Sequence, residues 1–360
     1  MSRRNNRTAS LLYPYLRTLH DSSLTLLTST LDASANWLVA QCISGALDGV
    51  AGVPGEEVGR SGDRGADVEG GDGAVAAAVV LVSWMRDWEG WRGEVRRGGG
   101  LDLARLAQRK RFAFVDGLSS LFGSSAAPEA ADRTTATPNR RTAGPLRAVT
   151  TTASIPNRGP LPIRQLPGPT VAATTTPDIK PPPHTQTPNQ NGTLVLENPT
   201  LANLHDAVTA AISALAPAPI HLILDSPDLL LASESTVTTE LYTCLMRLRS
   251  VVHSTTLVCA ADPPLLRVAP DASGAGLLTP LEEQQAAFVL QAAHQARWVL
   301  SVRGLDTGVA KDVSGVVRVT KGGGWEEGGV GADGIEMEAL YYVQADGGVR
   351  VFERGGGSVG

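Results

Sequence analysis

The sequence predicts an α/β protein whose mostly parallel sheet is covered by helices, with an antiparallel C-terminal end. Three observations carry this. Short apolar runs such as Ala77–Trp84, Phe112–Val115, His221–Asp225 and Thr255–Ala260 are rich in β-branched residues and bounded by turn residues. That is the pattern of strands buried on both faces. Segments of helical spacing alternate with these runs, as parallel strands require, because each parallel return needs a crossover. Near the end the style changes to consecutive strands over Val313–Thr320, Met337–Val343 and Val349–Arg354. The last two of these meet across Asp346-Gly347, a hairpin-turn signal.

Taken in order, residues 1–10 (MSRRNNRTAS) are basic and read as a flexible N-terminus. The apolar pattern that follows, LLYPYLRTLH, is too broken to form the h-region of a signal peptide. Leu24–Thr28 is the first strand, and a helical pattern begins at Asn36. Residues 48–76 are Gly- and acid-rich with almost no large apolar side chains, which predicts a mobile loop. After the strand Ala77–Trp84, helical spacing runs over Trp88–Arg97 and Leu101–Gln108, interrupted by Gly98-Gly99-Gly100. Phe112–Val115 is a strand closed by Asp116-Gly117.

From 124 to 192 Pro, Thr, Ala and Ser dominate and hydrophobic periodicity vanishes, so a disordered insert is expected. Its basic residues outnumber its acidic ones, which leaves weak RNA contact open beside a solvated spacer. Alternation then resumes. Leu194–Leu196 is a short strand, Leu201–Leu215 a helix, His221–Asp225 a strand, Thr236–Val252 a helix and Thr255–Ala260 a strand. Thr279-Pro280 followed by Glu282-Glu283 is a helix start, with a capping hydroxyl, Pro in the first turn and acids favouring the dipole. That helix runs to about Ala296 and feeds the strand Trp298–Val302.

The chain has 360 residues, 42% of them hydrophobic and 19% charged, which supports a sizeable core. Three strands alone would make a poor core. The insert is therefore expected to interrupt one domain, built from 11–123 and 193–354, with 355–360 as a flexible tail. A net charge of −5 argues against whole-chain attraction to nucleic acid, though not against a local basic patch. Cys42, Cys244 and Cys259 are isolated among apolar neighbours, so structural thiols in a reducing compartment are expected. No stretch approaches the roughly 18 apolar residues of a membrane span. The expectation is a soluble protein of the cytoplasm or also the nucleus.

A strand, short loop and helix near the chain start is where a nucleotide-binding α/β fold would carry its phosphate loop, G-x-x-x-x-G-K-[ST]. Glycines there let backbone amides approach the phosphates, the Lys meets their charge and the hydroxyl meets Mg²⁺. Residues 28–36 read TSTLDASAN, with no Gly, no Lys and an Asp32 that would repel a triphosphate. Asp225 ends an apolar strand, the position of a Mg²⁺-binding carboxylate in phosphate-loop hydrolases. The alternative is an acid hydrogen-bonded to Ser226-Pro227-Asp228. The segment Gly304–Lys311 superficially resembles a phosphate loop, but its spacing is wrong and it lies between two strands. A tight loop is expected there, with Arg303 and Lys311 as candidate RNA contacts.

Trp84, Trp88 and Trp91 fall at helical spacing among Arg86, Asp87, Arg92, Arg96 and Arg97. They read as a stripe packed on the sheet, with base stacking by the rings and phosphate contact by Arg96 and Arg97 as the functional alternative. Arg105, Arg109, Lys110 and Arg111 read as a helix end complementing its dipole. The chain lacks G-x-S-x-G, H-E-x-x-H and Cys/His ligand spacing. No catalytic, cofactor-binding or metal-binding residue is therefore assigned, and no cofactor is expected.

Together, SLTLLTSTLDASANWL, VVLVSWMRDWEGWRGEVRRGGGLDL, RFAFVDGLSSLF, ILDSPDLLLA, LRSVVHSTTLVCAADPPLL, LEEQQAAFVLQAAHQARWVLSVRGLDTGVAKDVSGVVRVT and LYYVQADGGVRVFERG resemble the sixth-subunit family of the Elongator complex, in a filamentous-fungus-like form. The resemblance implies a RecA-like fold without an intact Walker A loop. It implies assembly with Elongator subunits four and five into a heterohexameric ring that docks on the catalytic Elongator core. Through that ring it implies tRNA binding and support of wobble-uridine modification, with the chemistry carried by another subunit. Two other expectations compete with this non-catalytic role: an ATP-binding RecA-like hydrolase using Asp225, and a recombinase-type DNA accessory protein.

Overall fold

The computed structural model describes residues 11–16, 20–48, 77–122, 192–266, 278–308, 310–326 and 335–353. The expectations for 1–10, the acidic loop, the Pro/Thr-rich insert and the tail fall outside them, apart from the loop's first residue and the insert's last.

A single turn of helix, α1 (Tyr13–Leu16), precedes β1 (Ser23–Ser29), which feeds α2 (Asn36–Asp48). Next come β2 (Ala78–Ser83), α3 (Trp88–Gly99), α4 (Leu103–Gln108), β3 (Phe112–Asp116) and the short α5 (Leu118–Phe122). Beyond the insert lie β4 (Thr193–Val195), α6 (Leu201–Ala214), β5 (Ile220–Asp225), α7 (Leu229–Ala232), α8 (Thr238–Arg249) and β6 (Ser254–Ala260). A 3-10 turn over Pro263–Leu266 comes before α9 (Pro280–Gln295), then β7 (Trp298–Arg303), β8 (Gly315–Lys321), β9 (Met337–Val343) and β10 (Val349–Glu353).

Among the described residues all ten strands join one sheet in the order β10-β9-β8-β7-β1-β6-β5-β2-β3-β4. Every pairing from β7 to β4 is parallel, and the pairings from β7 out to β10 are antiparallel. Strands from both sides of the insert thus interleave. The central strands β2 and β5 are buried along their whole length, which is why they read as unbroken apolar runs.

Alternate residues of each strand serve opposite faces. Val79 and Leu81 join the core beneath α2, α3 and α4, where Trp91, Val95 and Leu103 pack. Ala78, Val80 and Val82 join the core beneath α6, α8 and α9, to which those helices contribute Val208, Leu241 and Phe288. Helix starts follow local chemistry. Thr279 and Glu282 form a full capping box with Pro280 in the first turn, satisfying donors that the helix itself cannot. Asp87 and Asp102 cap α3 and α4 through their carboxylates.

The tryptophan stripe needs correction. Helix α3 begins only at Trp88, and Trp84 lies just past the end of β2. Its indole packs into the core opposite to that of Trp91, and both are fully buried. Trp88 tilts against Phe112 and Phe114 at ring separations of 6.2 and 5.8 Å. Apolar burial has claimed rings that base stacking would need in the open.

Candidate functional site

In open α/β sheets ligands enter at the carboxyl ends of the strands, in the crevice where neighbouring connections leave for opposite faces. Here two places meet that description: β5 against β2, where Ser83 and Asp225 sit, and β1 against β6. From β1 the chain turns into α2 over one face, while from adjacent β6 it passes through the 3-10 turn into α9 over the other.

The two loops lace the β1–β6 crevice together. Leu31 donates its amide to Asp262 Oδ1 at 2.8 Å. The Ala261 amide bonds the Ser29 carbonyl at 2.8 Å, Thr30 donates to Val302, and the Ala33 amide returns to the Thr30 carbonyl. Asp32 accepts from Thr30 Oγ1 and from the Gly304 amide. With Arg303 also nearby, these contacts hold its carboxyl below the usual value, the Thr30 hydroxyl contributing most. A Cβ on Gly304 would meet Asp32 Oδ2, so a larger residue there would push the exposed Asp32 side chain aside. The amides of Leu31, Ala33 and Gly304 are therefore engaged inside the molecule, beside the anionic Asp32.

Leu31 itself projects outward. It is 96% exposed, the most exposed large apolar residue described. Beside it on the β6 side, Pro263 and Pro264 are exposed too.

Asp225 does not face solvent. Ser83 Oγ donates to its Oδ2 at 2.6 Å, and Ser226 Oγ reaches its other oxygen at 3.4 Å. Burial, reinforced by the neighbouring Asp228 carboxylate, pushes its carboxyl up to about 6 despite these donors and the nearby Arg86. Asp228 is buried as well. It accepts from the Ala260 amide at 3.0 Å and from Gln285 Nε2 at 2.9 Å, and burial raises its carboxyl above the usual range. Asp225 ties β5 to β2 through Ser83, and Asp228 ties the loop after β5 to β6 and α9. No group of three or more His, Cys, Asp or Glu side chains is arranged to hold a metal among the described residues.

The predicted RNA contacts lie on two separate elements. Arg303 pairs with Asp306 at 2.9 Å and with Glu338 at 3.7 Å. Lys311 is exposed in the loop after β7. Arg97, near the end of α3, pairs with Glu94 at 3.0 Å and lies against Gly347 of the β9–β10 turn, while Arg96 is exposed. Two of these four cations are thus already engaged. The sequence reading missed Ser83, Gln285 and Asp262. A serine ending a strand and an Asp before two prolines carry no distinguishing local signal, and their partners lie 142, 57 and 231 residues away.

No protein-family model matches the chain, and its sequence matches no curated protein.

Proposed function

We propose that this chain is a RecA-like subunit that has lost phosphate-loop chemistry and works by assembly. In this reading it is the sixth-subunit component of an Elongator-type accessory ring, joined to subunits four and five and supporting tRNA handling without catalysing a reaction. One observation supports the loss of nucleotide chemistry above all others. The β1–β6 crevice is bridged by the Leu31–Asp262 bond, and the loop after β1 carries the anionic Asp32. The sequence resemblance supports the choice of assembly. The rival hydrolase reading requires Asp225 to meet Mg²⁺ as an accessible carboxylate, and Asp225 is 2% exposed and raised to about 6.

The test is affinity purification of the tagged full-length chain from its native cells, with identification of the companion chains. Two companions of similar fold in fixed stoichiometry, together with tRNA retention that weakens with salt, are expected. A monomer that hydrolyses ATP would overturn the proposal.

A further inference from the structure

Leu31 sits at the centre of the carboxyl rim, and its surroundings set it apart from an ordinary exposed side chain. Single exposed apolar residues are common and need no explanation. This one combines 96% exposure with a backbone pinned on both sides. Its own amide is bonded to Asp262, the Thr30 amide to Val302 and the Ala33 amide to Thr30. A side chain presented from so fixed a base has little backbone entropy left to lose on binding. The neighbouring exposed apolar groups are Pro263 and Pro264.

The charged side chains of the described segments that hold it, 30–35 and 261–266, are both acidic. Asp32 is exposed and kept ionised by Thr30 and Gly304, and Asp262 holds the Leu31 amide. Arg303, at the end of β7, is paired with Asp306 and Glu338. An apolar knob flanked by two carboxylates complements an apolar pocket bordered by Lys and Arg. It repels a polyanion for the same reason.

We propose that the carboxyl rim around Leu31 is a protein-docking surface, with Leu31 as the anchor entering an apolar pocket bordered by basic side chains on a partner chain. This rests on the assembly reading and deepens it. The rim that would receive a nucleotide in a related fold here receives a neighbouring subunit, and RNA is excluded from it.

The experiment uses the full-length chain and the companion chains identified by co-purification, re-expressed together. Leu31→Asp should weaken the complex by about tenfold or more. Asp32→Lys should weaken it in the same direction, while Leu31→Met should retain it. Leu290→Asp, on the exposed side of α9, serves as the surface control and should leave binding unchanged. Each Leu31 variant's thermal midpoint should match wild type, because Leu31 buries almost nothing within its own chain. A photo-reactive benzoylphenylalanine at 31 should cross-link to a companion peptide that contains Lys or Arg. Wild-type affinity in Leu31→Asp, or cross-linking to RNA, would overturn this inference alone. Absence of any companion of the wild-type chain would overturn the assembly reading, and this inference with it.

Discussion

His221 and Asp225 lie in one strand and place opposite demands on protons. Asp225 has its carboxyl raised from 3.8 to about 6 by burial and by Asp228. Its contribution to stability is complete below 3.8 and is lost as pH rises through about 6, because the unfolded chain sheds the proton first. The difference amounts to roughly 3 kcal/mol at neutral pH. Asp225→Asn keeps an acceptor for Ser83 and removes the buried charge. It should therefore raise the unfolding free energy at pH ~7.5 and have little effect below pH ~4, as measured by denaturant titration. If Asp225 held Mg²⁺, the same variant would instead lose an activity. Buried His221 is bracketed by Ser254 Oγ at 2.8 Å and Thr256 Oγ1 at 3.1 Å. Burial lowers it from 6.5 to about 3, so its contribution is present above 6.5 and is lost as pH falls through about 3.

At the scale of elements, the end of α9 shows how glycines substitute for a cap. Gly323 and Gly324 donate amides to the carbonyls of Ala293 and Ala296, and Gly322 donates to Arg297. These donors satisfy carbonyls that the last helical turn leaves open. A Cβ at Gly323 would press on the backbone of His294. Gly323→Ala should therefore destabilise the protein by about 1–3 kcal/mol, read as a lowered thermal midpoint. At the other end, Thr279→Ala breaks the capping box and should cost about 1 kcal/mol in the same measurement.

The strands and long helices were legible because their signals are local. AVVLVS is apolar at every position but the last, and Thr279-Pro280 carries its own start signal. The helix expected over Thr236–Val252 is shorter, Thr238–Arg249. The amide and hydroxyl of Thr238 bond to Gln284 of α9, a pull no window along the chain contains. Helices α1 and α7 are four residues each, too short for periodicity to register. The candidate site was legible only as a set of missing residues in 28–36. What fills the crevice depends on Asp262 and Gly304, which the sheet brings alongside β1.

For the whole molecule, the two titrating groups of β5 oppose each other. Between about pH 4 and 6 the folded state holds the Asp225 proton that the unfolded chain has released, and lacks the His221 proton that the unfolded chain has taken up. Their slopes cancel. In Asp225→Asn the histidine slope stands alone, so stability should rise with pH across that range by about 1.4 kcal/mol per unit more than in wild type. Denaturant titrations at several pH values on both proteins check this. A wild-type slope equal to that of the variant would contradict the burial of Asp225.

The same buried carboxylates and laced loops bear on nucleotide binding by the whole chain. A ligand at about a hundred times its dissociation constant would stabilise the folded state by about 2.7 kcal/mol. Calorimetric titration of the purified full-length chain with Mg-ATP, followed by thermal unfolding at saturating nucleotide, reads this directly. With Leu31 bonded to Asp262 and Asp32 anionic in the same loop, no binding heat and an unchanged unfolding midpoint are predicted. Micromolar binding that raises the midpoint and disappears in Asp225→Asn would contradict it.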